Sequence, residues 1–369
     1  MANVRLNIID NAQRGVNMSN VRIKLPEEMN LTKDVQLFED GLRTCKDSGN
    51  YEWWYFDSKY EDGSSLVIIF FSKPVTSMKD KFEPYVSFDF VSKDKSIHTE
   101  YRCKDFFMSK DQCDVKIGDC IVKGDLNHYE IYFKNDVVES TFVLDANIPS
   151  WRPYSGHLYF NEKEYFAWLP SVPEGKVKVK IKTKDEEINL EGTGYHDHNW
   201  GNKLMIFLMN DWYWGRAKVG DYVVVSAYIY ANKKCKHAPT PVFMLAKDGK
   251  IIADDAYNCL TYQELDLKKD PYTKRYVAHT LVYDYNDKDK NIHYRITYKK
   301  GDEDVERHIM RDIVGKLPAA LFYLLGFRGS YHRMGGTVIL EKFENNDIVE
   351  TIEAPAMWEQ MCFGKDRIK

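Results

Sequence analysis

The sequence predicts an all-β protein made of two tandem β-barrel halves, with a short helix in the C-terminal half. Three observations carry this. Short β-branched and aromatic runs recur along the chain, separated by polar turn clusters such as Glu61-Asp62-Gly63, Lys247-Asp248-Gly249 and Asn286-Asp287-Lys288-Asp289. An acid-Trp-aromatic-aromatic element occurs twice at a domain-sized interval. Helical periodicity is confined to residues 311–325, where Pro318 suits a helix start.

The strand signals fall in order at residues 65–71, 85–91, 129–133, 176–181, 222–230, 276–285, 292–298 and 337–343. Many short strands joined by polar hairpins belong to a barrel or sandwich. At 176–181 the pattern is strict, with Lys176, Lys178 and Lys180 alternating with Val177, Val179 and Ile181. That is a half-exposed strand with a solvated lysine face, not a binding patch. Residues 326–333, rich in glycine and polar groups, read as a loop.

The repeat sharpens the architecture. Glu52-Trp53-Trp54-Tyr55 precedes a turn at Gly63 and an apolar strand, and Asp211-Trp212-Tyr213-Trp214 precedes a turn at Gly220 and another. The spacing is 159 residues (211 minus 52). Recurring supersecondary order at this interval points to two related halves. The expected domains are 1–203 and 204–369.

Composition bounds the function. An apolar fraction of 44% with 29% charged residues is that of a globular chain, and 369 residues suit two domains. The formal net charge of −4 gives no overall drive towards nucleic acid or an anionic membrane. Aromatic residues at 14% fill β-cores and also line pockets for apolar ligands. Seven cysteines without a Cys-x-x-Cys pair, no signal-peptide pattern and no membrane-length apolar run give the expectation of a cytoplasmic protein with reduced thiols. No Gly-x-Gly-x-x-Gly, Walker loop or Gly-x-Ser-x-Gly elbow is present. Nucleotide cofactors and serine-hydrolase chemistry therefore have no support, and no cofactor is expected.

The most informative chemistry lies at residues 192–201, Gly-Thr-Gly-Tyr-His-Asp-His-Asn-Trp-Gly. As a strand it puts Tyr195, Asp197 and Asn199 on one face and His196, His198 and Trp200 on the other. Two readings stand at this point. A carboxyl facing an apolar cavity has its pKa raised by desolvation, the condition for proton donation near neutral pH. Alternatively, Asp197 and Asn199 satisfy backbone groups at a turn between the halves. His196 and His198 could share a metal ion only with a third ligand, such as His157, His237 or His332. Lone histidine pairs are more often hydrogen-bonded structural residues, and no metal is expected.

Glu52-Trp53-Trp54-Tyr55-Phe56-Asp57, Trp168-Leu169-Pro170 and Tyr195-His196-Asp197-His198-Asn199-Trp200-Gly201, taken in that order, resemble one superfamily. It is the lipocalin-like group that contains carotenoid 1,2-hydratase (hydroxyneurosporene synthase) and fungal Diels–Alderases. The resemblance implies two lipocalin-like domains and cofactor-independent chemistry on a hydrophobic polyene in an apolar cavity. In the hydratase branch an aspartate of the last motif protonates an isoprenoid double bond, and Asp197 matches it, with Tyr195 beside it. Trp168 matches an upstream tryptophan. The upstream histidine of that branch falls near Phe166 here, which counts against simple hydration. In the Diels–Alderase branch the pocket works mainly by folding its substrate into a reactive conformer.

The expected function is an enzyme that hydrates, isomerises or cyclises a hydrophobic terpenoid or polyketide polyene. Asp197 is the expected proton donor, positioned by Tyr195 and Asn199. Trp168, Trp200, Trp212 and Trp214, with His196 and His198, are expected to contact substrate. The competing expectation is a non-catalytic carrier of a lipid or pigment, which has no need of a buried carboxyl.

Overall fold

The computed structural model describes residues 21–314 and 327–367, and their regular secondary structure is almost entirely antiparallel sheet. The chain divides into two compact units, one formed by Ile23–Leu204 and the other containing the residues from Met205 onward.

After a two-residue strand β1 (Arg22–Ile23), the first unit begins with β2 (Tyr51–Tyr60), β3 (Ser65–Phe71), β4 (Tyr85–Val91) and β5 (Ser96–Arg102). It continues with β6 (Phe106–Met108), β7 (Asp114–Ile117), β8 (Cys120–Gly124), β9 (His128–Lys134) and β10 (Glu139–Ala146). It closes with β11 (His157–Tyr159), β12 (Tyr165–Lys182) and β13 (Glu187–Gly201). The strand order is β5-β4-β3-β2-β13-β12-β10-β9-β8-β7-β6, so the first long strand pairs with the last.

The second unit opens with β14 (Met209–Val219), β15 (Tyr222–Ala231), β16 (Pro239–Lys247) and β17 (Lys250–Ala253). Then come β18 (Leu260–Lys269), β19 (Tyr276–Asp287), β20 (Ile292–Ile309), β21 (Ser330–Glu344) and β22 (Asp347–Cys362). Its order, β17-β16-β15-β14-β22-β21-β20-β19-β18, repeats the same closure of first strand on last. Each sheet curls round its own apolar core. Trp54, Phe56, Leu66, Ile68, Phe70 and Phe88 fill the first. Tyr213, Tyr228, Phe243, Tyr283, Tyr298 and Trp358 fill the second.

The two-residue period explains the packing. Leu66, Ile68 and Phe70 of β3 are buried while the residues between them are half-buried. Along the C-terminal half of β12, Lys176, Lys178, Lys180 and Lys182 are exposed and Val177, Val179 and Ile181 buried, the solvated face the sequence predicts. Lys178 and Lys180 pair there with Glu191 and Glu187 of β13.

Two expectations need adjustment. A helix does occupy Met310–Val314, but the remainder of the predicted 311–325 segment, with Pro318, lies outside the described residues. The stretch expected to be a loop becomes strand from Ser330, because β20 and β22 pair with it on both sides and tertiary pairing overrides the polar composition. Among the described residues, no helix is long and apolar enough to cross a membrane.

Candidate active site

The strands that carry the site are β12 and β13, and their sequence dictates an irregular pairing. Pro170 and Pro173 lack a backbone N–H for the ladder. The register between the strands shifts twice there, between Leu169 and Val172 and between Val172 and Gly175. From residue 167 to 175, and from 194 to 201 on β13, every residue is buried, so both faces of the sheet are covered. Glycine makes this approach possible. A Cβ on Gly194 would lie 2.3 Å from Val177 Cγ2 and 2.9 Å from the Asp57 carbonyl oxygen.

The motif 194–201 is therefore the C-terminal half of strand β13, paired with β2 on one side and β12 on the other, and not a turn. On one face the Asp197 carboxyl collects three donors. Trp168 Nε1 donates to Oδ2 at 2.7 Å, the Tyr195 hydroxyl to the same oxygen at 2.8 Å, and Asn199 Nδ2 to Oδ1 at 2.6 Å. Burial pushes the carboxyl up to about 6, outweighing the bonds from Trp168, Tyr195 and Asn199 and the field of His196, all of which favour the anion. Two donors occupy Oδ2 and one occupies Oδ1, so Oδ1 keeps the lone pair on which a proton can sit.

The surroundings of this carboxyl are aromatic. Tyr55 pairs directly with Asp197 across β2, and its ring lies edge-on to Tyr195 at 6.3 Å. Trp53 pairs with Asn199, and Trp151, from the loop before β11, meets Trp168 edge-on at 6.3 Å. The sequence reading missed Tyr55, although alternation with Trp54 in the core places Trp53 and Tyr55 on the outer face together. Trp151 has no periodic signal, being in a loop.

The opposite face of β13 holds a buried charge network. His196 stacks on Phe56 at 3.9 Å, with Nε2 3.1 Å from Asp40 Oδ2 and Nδ1 2.9 Å from the Tyr55 carbonyl. His198 stacks on Trp54, with Nε2 2.8 Å from Glu52 and Nδ1 3.2 Å from the Glu39 carbonyl. Tyr129 donates to Asp40 at 2.6 Å, and Arg152 bonds Glu39 at 2.6 Å. Burial raises the Asp40 carboxyl, but His196, His198 and Tyr129 outweigh it and hold it below its usual value. Trp200 packs between His198 and His157 on the same side. His157 pairs with Ala167, facing away from Trp168, and burial pulls its pKa down to about 4. It does not stand in for the histidine absent near Phe166.

The predicted residues thus separate into three groups. Tyr195, Asn199 and Trp168 converge on the Asp197 carboxyl. His196, His198 and Trp200 occupy the other face of the strand. Trp212 and Trp214 lie on β14 in the second unit, half-buried on the face opposite its core, with Trp212 Nε1 donating to Glu359 at 3.3 Å.

Among the described residues, two clusters have ligand atoms close enough to hold a cation: Asp40, Cys113 and His196, and Asp270, Asp304 and His332. In the first, both ring nitrogens of His196 already face oxygen acceptors. In the second, Arg307 and Lys300 already supply positive charge to the two aspartates. His237, the other predicted partner, turns Nδ1 to its neighbouring Ala231 carbonyl in the second unit.

Comparison with known proteins agrees with this architecture. A protein of Chlorobaculum tepidum named hydroxyneurosporene dehydrogenase is 25% identical over 277 residues, 62% of this chain and 69% of the relative. The Diels-Alderase poxQ of Penicillium oxalicum is 26% identical over 212 residues, 54% of this chain but only 45% of its own length. Among solved structures, CghA with Sch210972 matches at a TM-score of 0.58 and 12% identity, over 94% of this chain and 99% of that one. A putative AttH from Nitrosomonas europaea matches at 0.55 and 14% identity, over 90% and 98%. At these identities the structures establish a shared lipocalin-like fold. The Diels-Alderase-like family model matches residues 45–308, a span that holds β2, β12 and β13 with Asp197 and the three groups that donate to it, and the chain belongs to that family.

Proposed function

We propose that this protein is an enzyme of terpenoid or polyketide metabolism that protonates a C=C bond of a hydrophobic polyene, with Asp197 as the proton donor. The observation that carries the reading is a buried carboxyl, raised to about 6, held by three donors among aromatic rings. Near neutral pH such a group still exists in part as the acid, and its conjugate base is stabilised by Trp168, Tyr195 and Asn199 once the proton leaves. The carbocation formed would be stabilised by the faces of nearby rings such as Tyr55, Trp53 and Trp151. Loss of a proton then gives an isomer, attack by water a hydrate, and attack by a second double bond a ring.

A second reading is pericyclic cyclisation, favoured by the Diels-Alderase-like family match and by poxQ. There the aromatic walls would fold the substrate and Asp197 would only polarise it. Incubation of the protein with the acyclic polyene lycopene in deuterated water separates the two. Protonation chemistry installs one deuterium on carbon, detected by mass spectrometry, and Asp197→Asn abolishes it. Product without deuterium assigns the pericyclic route. Lycopene retained but unchanged, by wild type and Asp197→Asn alike, would indicate a carrier.

A further inference from the structure

One mouth of the second unit is closed by the unit's own chain. β22 ends at Cys362, and residues 363–367 run on beside the start of β14. The Phe363 and Gly364 amides both donate to the Asn210 carbonyl, at 2.8 and 3.1 Å, and Asn210 Nδ2 donates to the Lys365 carbonyl at 3.1 Å. Arg275 bonds the Gly364 carbonyl and pairs with Asp366 at 3.2 Å. Only glycine fits at 364, because a Cβ there would lie 2.0 Å from Asn210 Oδ1.

Arg367 carries a charge from this segment into the unit. Its Nε donates to both Asp211 oxygens, at 3.0 and 2.8 Å, and its Nη2 to both Glu264 oxygens, at 2.8 and 3.2 Å. The guanidinium carbon lies 3.3 Å from the centre of the Tyr230 ring. Asp211 shares a face of β14 with Tyr213, and Glu264 a face of β18 with Tyr262, and both tyrosines belong to the core of the unit. In the sheet β22, β21, β20 and β19 separate β14 from β18, so Arg367 bridges the inside of the curl.

A carboxylate for the fork, a second carboxylate and an aromatic face are the groups that recognise a guanidinium. Two buried carboxylates face this one cation. Burial raises the Glu264 carboxyl, with Arg367 opposing the rise and Asp211 adding to it. The Tyr228 hydroxyl, buried without a hydrogen-bond partner, feels the charges of both Glu264 and Arg367. A cavity of about 20 Å³, room for one water, lies against Arg367, Asp211 and Glu264. Phe363 is the only apolar side chain of the segment, and it meets Trp212 at 5.3 Å. Desolvation offsets much of the attraction within a buried ion pair, so the closed arrangement has little margin. A tethered side chain competes with free ligand at an effective concentration on the order of millimolar.

We propose that this mouth is a binding site for a guanidinium-bearing ligand, that Arg367 is its resident occupant, and that residues 363–367 form a strap which such a ligand displaces.

The test uses the full chain and methylguanidinium as the probe, with urea as its uncharged counterpart. Arg367→Ala should lower the melting temperature and bind methylguanidinium saturably at a single site, with a Kd on the order of millimolar. Wild type, with the site filled, should bind it at least about tenfold more weakly. Methylguanidinium, and not urea, should restore the melting temperature of Arg367→Ala. Adding Asp211→Asn should weaken binding to Arg367→Ala at least about tenfold. Hydrogen exchange at the Phe363 and Gly364 amides should quicken about tenfold in Arg367→Ala as the strap comes away. No saturable binding to Arg367→Ala, binding unmoved by Asp211→Asn, or unchanged exchange overturns the proposal. Should Arg367→Ala fail to fold, wild type decides the matter. Millimolar methylguanidinium should quicken exchange of the same two amides where equal urea does not, and identical exchange in the two overturns the proposal. None of these readouts depends on the chemistry at Asp197.

Discussion

The Trp168 indole reaches diagonally across the β12–β13 pair to Asp197, 2.7 Å from Oδ2, although the residue directly opposite it in register is Asn199. Diagonal neighbours on a sheet are within reach of long aromatic side chains, and the bulge at Pro170 ends the regular pairing just beyond Trp168. Trp168→Phe keeps the ring and removes the donor. The bond favours the anion, so its loss raises the Asp197 pKa further from about 6. The expected outcome is a descending limb of the pH–rate profile displaced upward by about one pH unit, with smaller turnover below it. An unmoved limb argues against proton donation by Asp197.

Asp197→Asn should stabilise the fold while it abolishes protonation. A carboxyl raised to about 6 in the folded chain binds its proton more tightly there than in the unfolded chain, whose value is 3.8. Stability from this group is fully present below that lower value and is lost as pH rises through about 6. At neutral pH, ionised Asp197 therefore costs up to about 3 kcal/mol, which an uncharged amide avoids in part. Thermal unfolding at pH 7.5 should show a higher melting temperature for the variant, and the gain should shrink towards pH 4. An equal gain at both values would refute the burial argument.

Gly194→Ala tests the close approach behind the site. Its Cβ would sit 2.3 Å from Val177 Cγ2, so the strand must shift. Destabilisation of about 1–3 kcal/mol is expected in urea. Adding Val177→Ala relieves the nearest clash but leaves the Asp57 carbonyl at 2.9 Å, so the double variant should recover stability only in part.

Arg152 is bound to Glu39 at 2.6 Å with both side chains almost fully buried, and the Glu39 carbonyl in turn accepts from His198 Nδ1. Arg152→Met leaves a buried carboxylate without its cation, which costs about 3–5 kcal/mol. Glu39→Gln with Arg152→Met removes both charges and should recover part of that loss. A double variant no more stable than Arg152→Met would show that the guanidinium acts through its bonds to the Thr32, Lys33 and Tyr154 carbonyls instead.

The β-character of the chain was legible because it is written locally. Strands at 65–71 and 85–91 coincide with β3 and β4, and the lysine face of β12 follows from strict alternation. The split of Tyr195, Asp197 and Asn199 from His196, His198 and Trp200 also needed only the two-residue period. The strand at Ser330 escaped notice because its composition is that of a loop, and only pairing on both sides makes it a strand.

The sequence by itself determined the fold class, the repeated acid-Trp element, and which residues of the 194–201 motif share a face. All three follow from alternation along one stretch of backbone. The tertiary structure decided what each face meets. Trp168 comes to Asp197 from 29 residues away, Asp40 to His196 from 156, and Glu52 to His198 from 146. It also decided that Glu359 of β22 pairs with Trp214 as Asp197 of β13 pairs with Tyr55. Desolvation, the force that sets the Asp197 pKa, depends on everything packed around a carboxyl, and no local pattern encodes that.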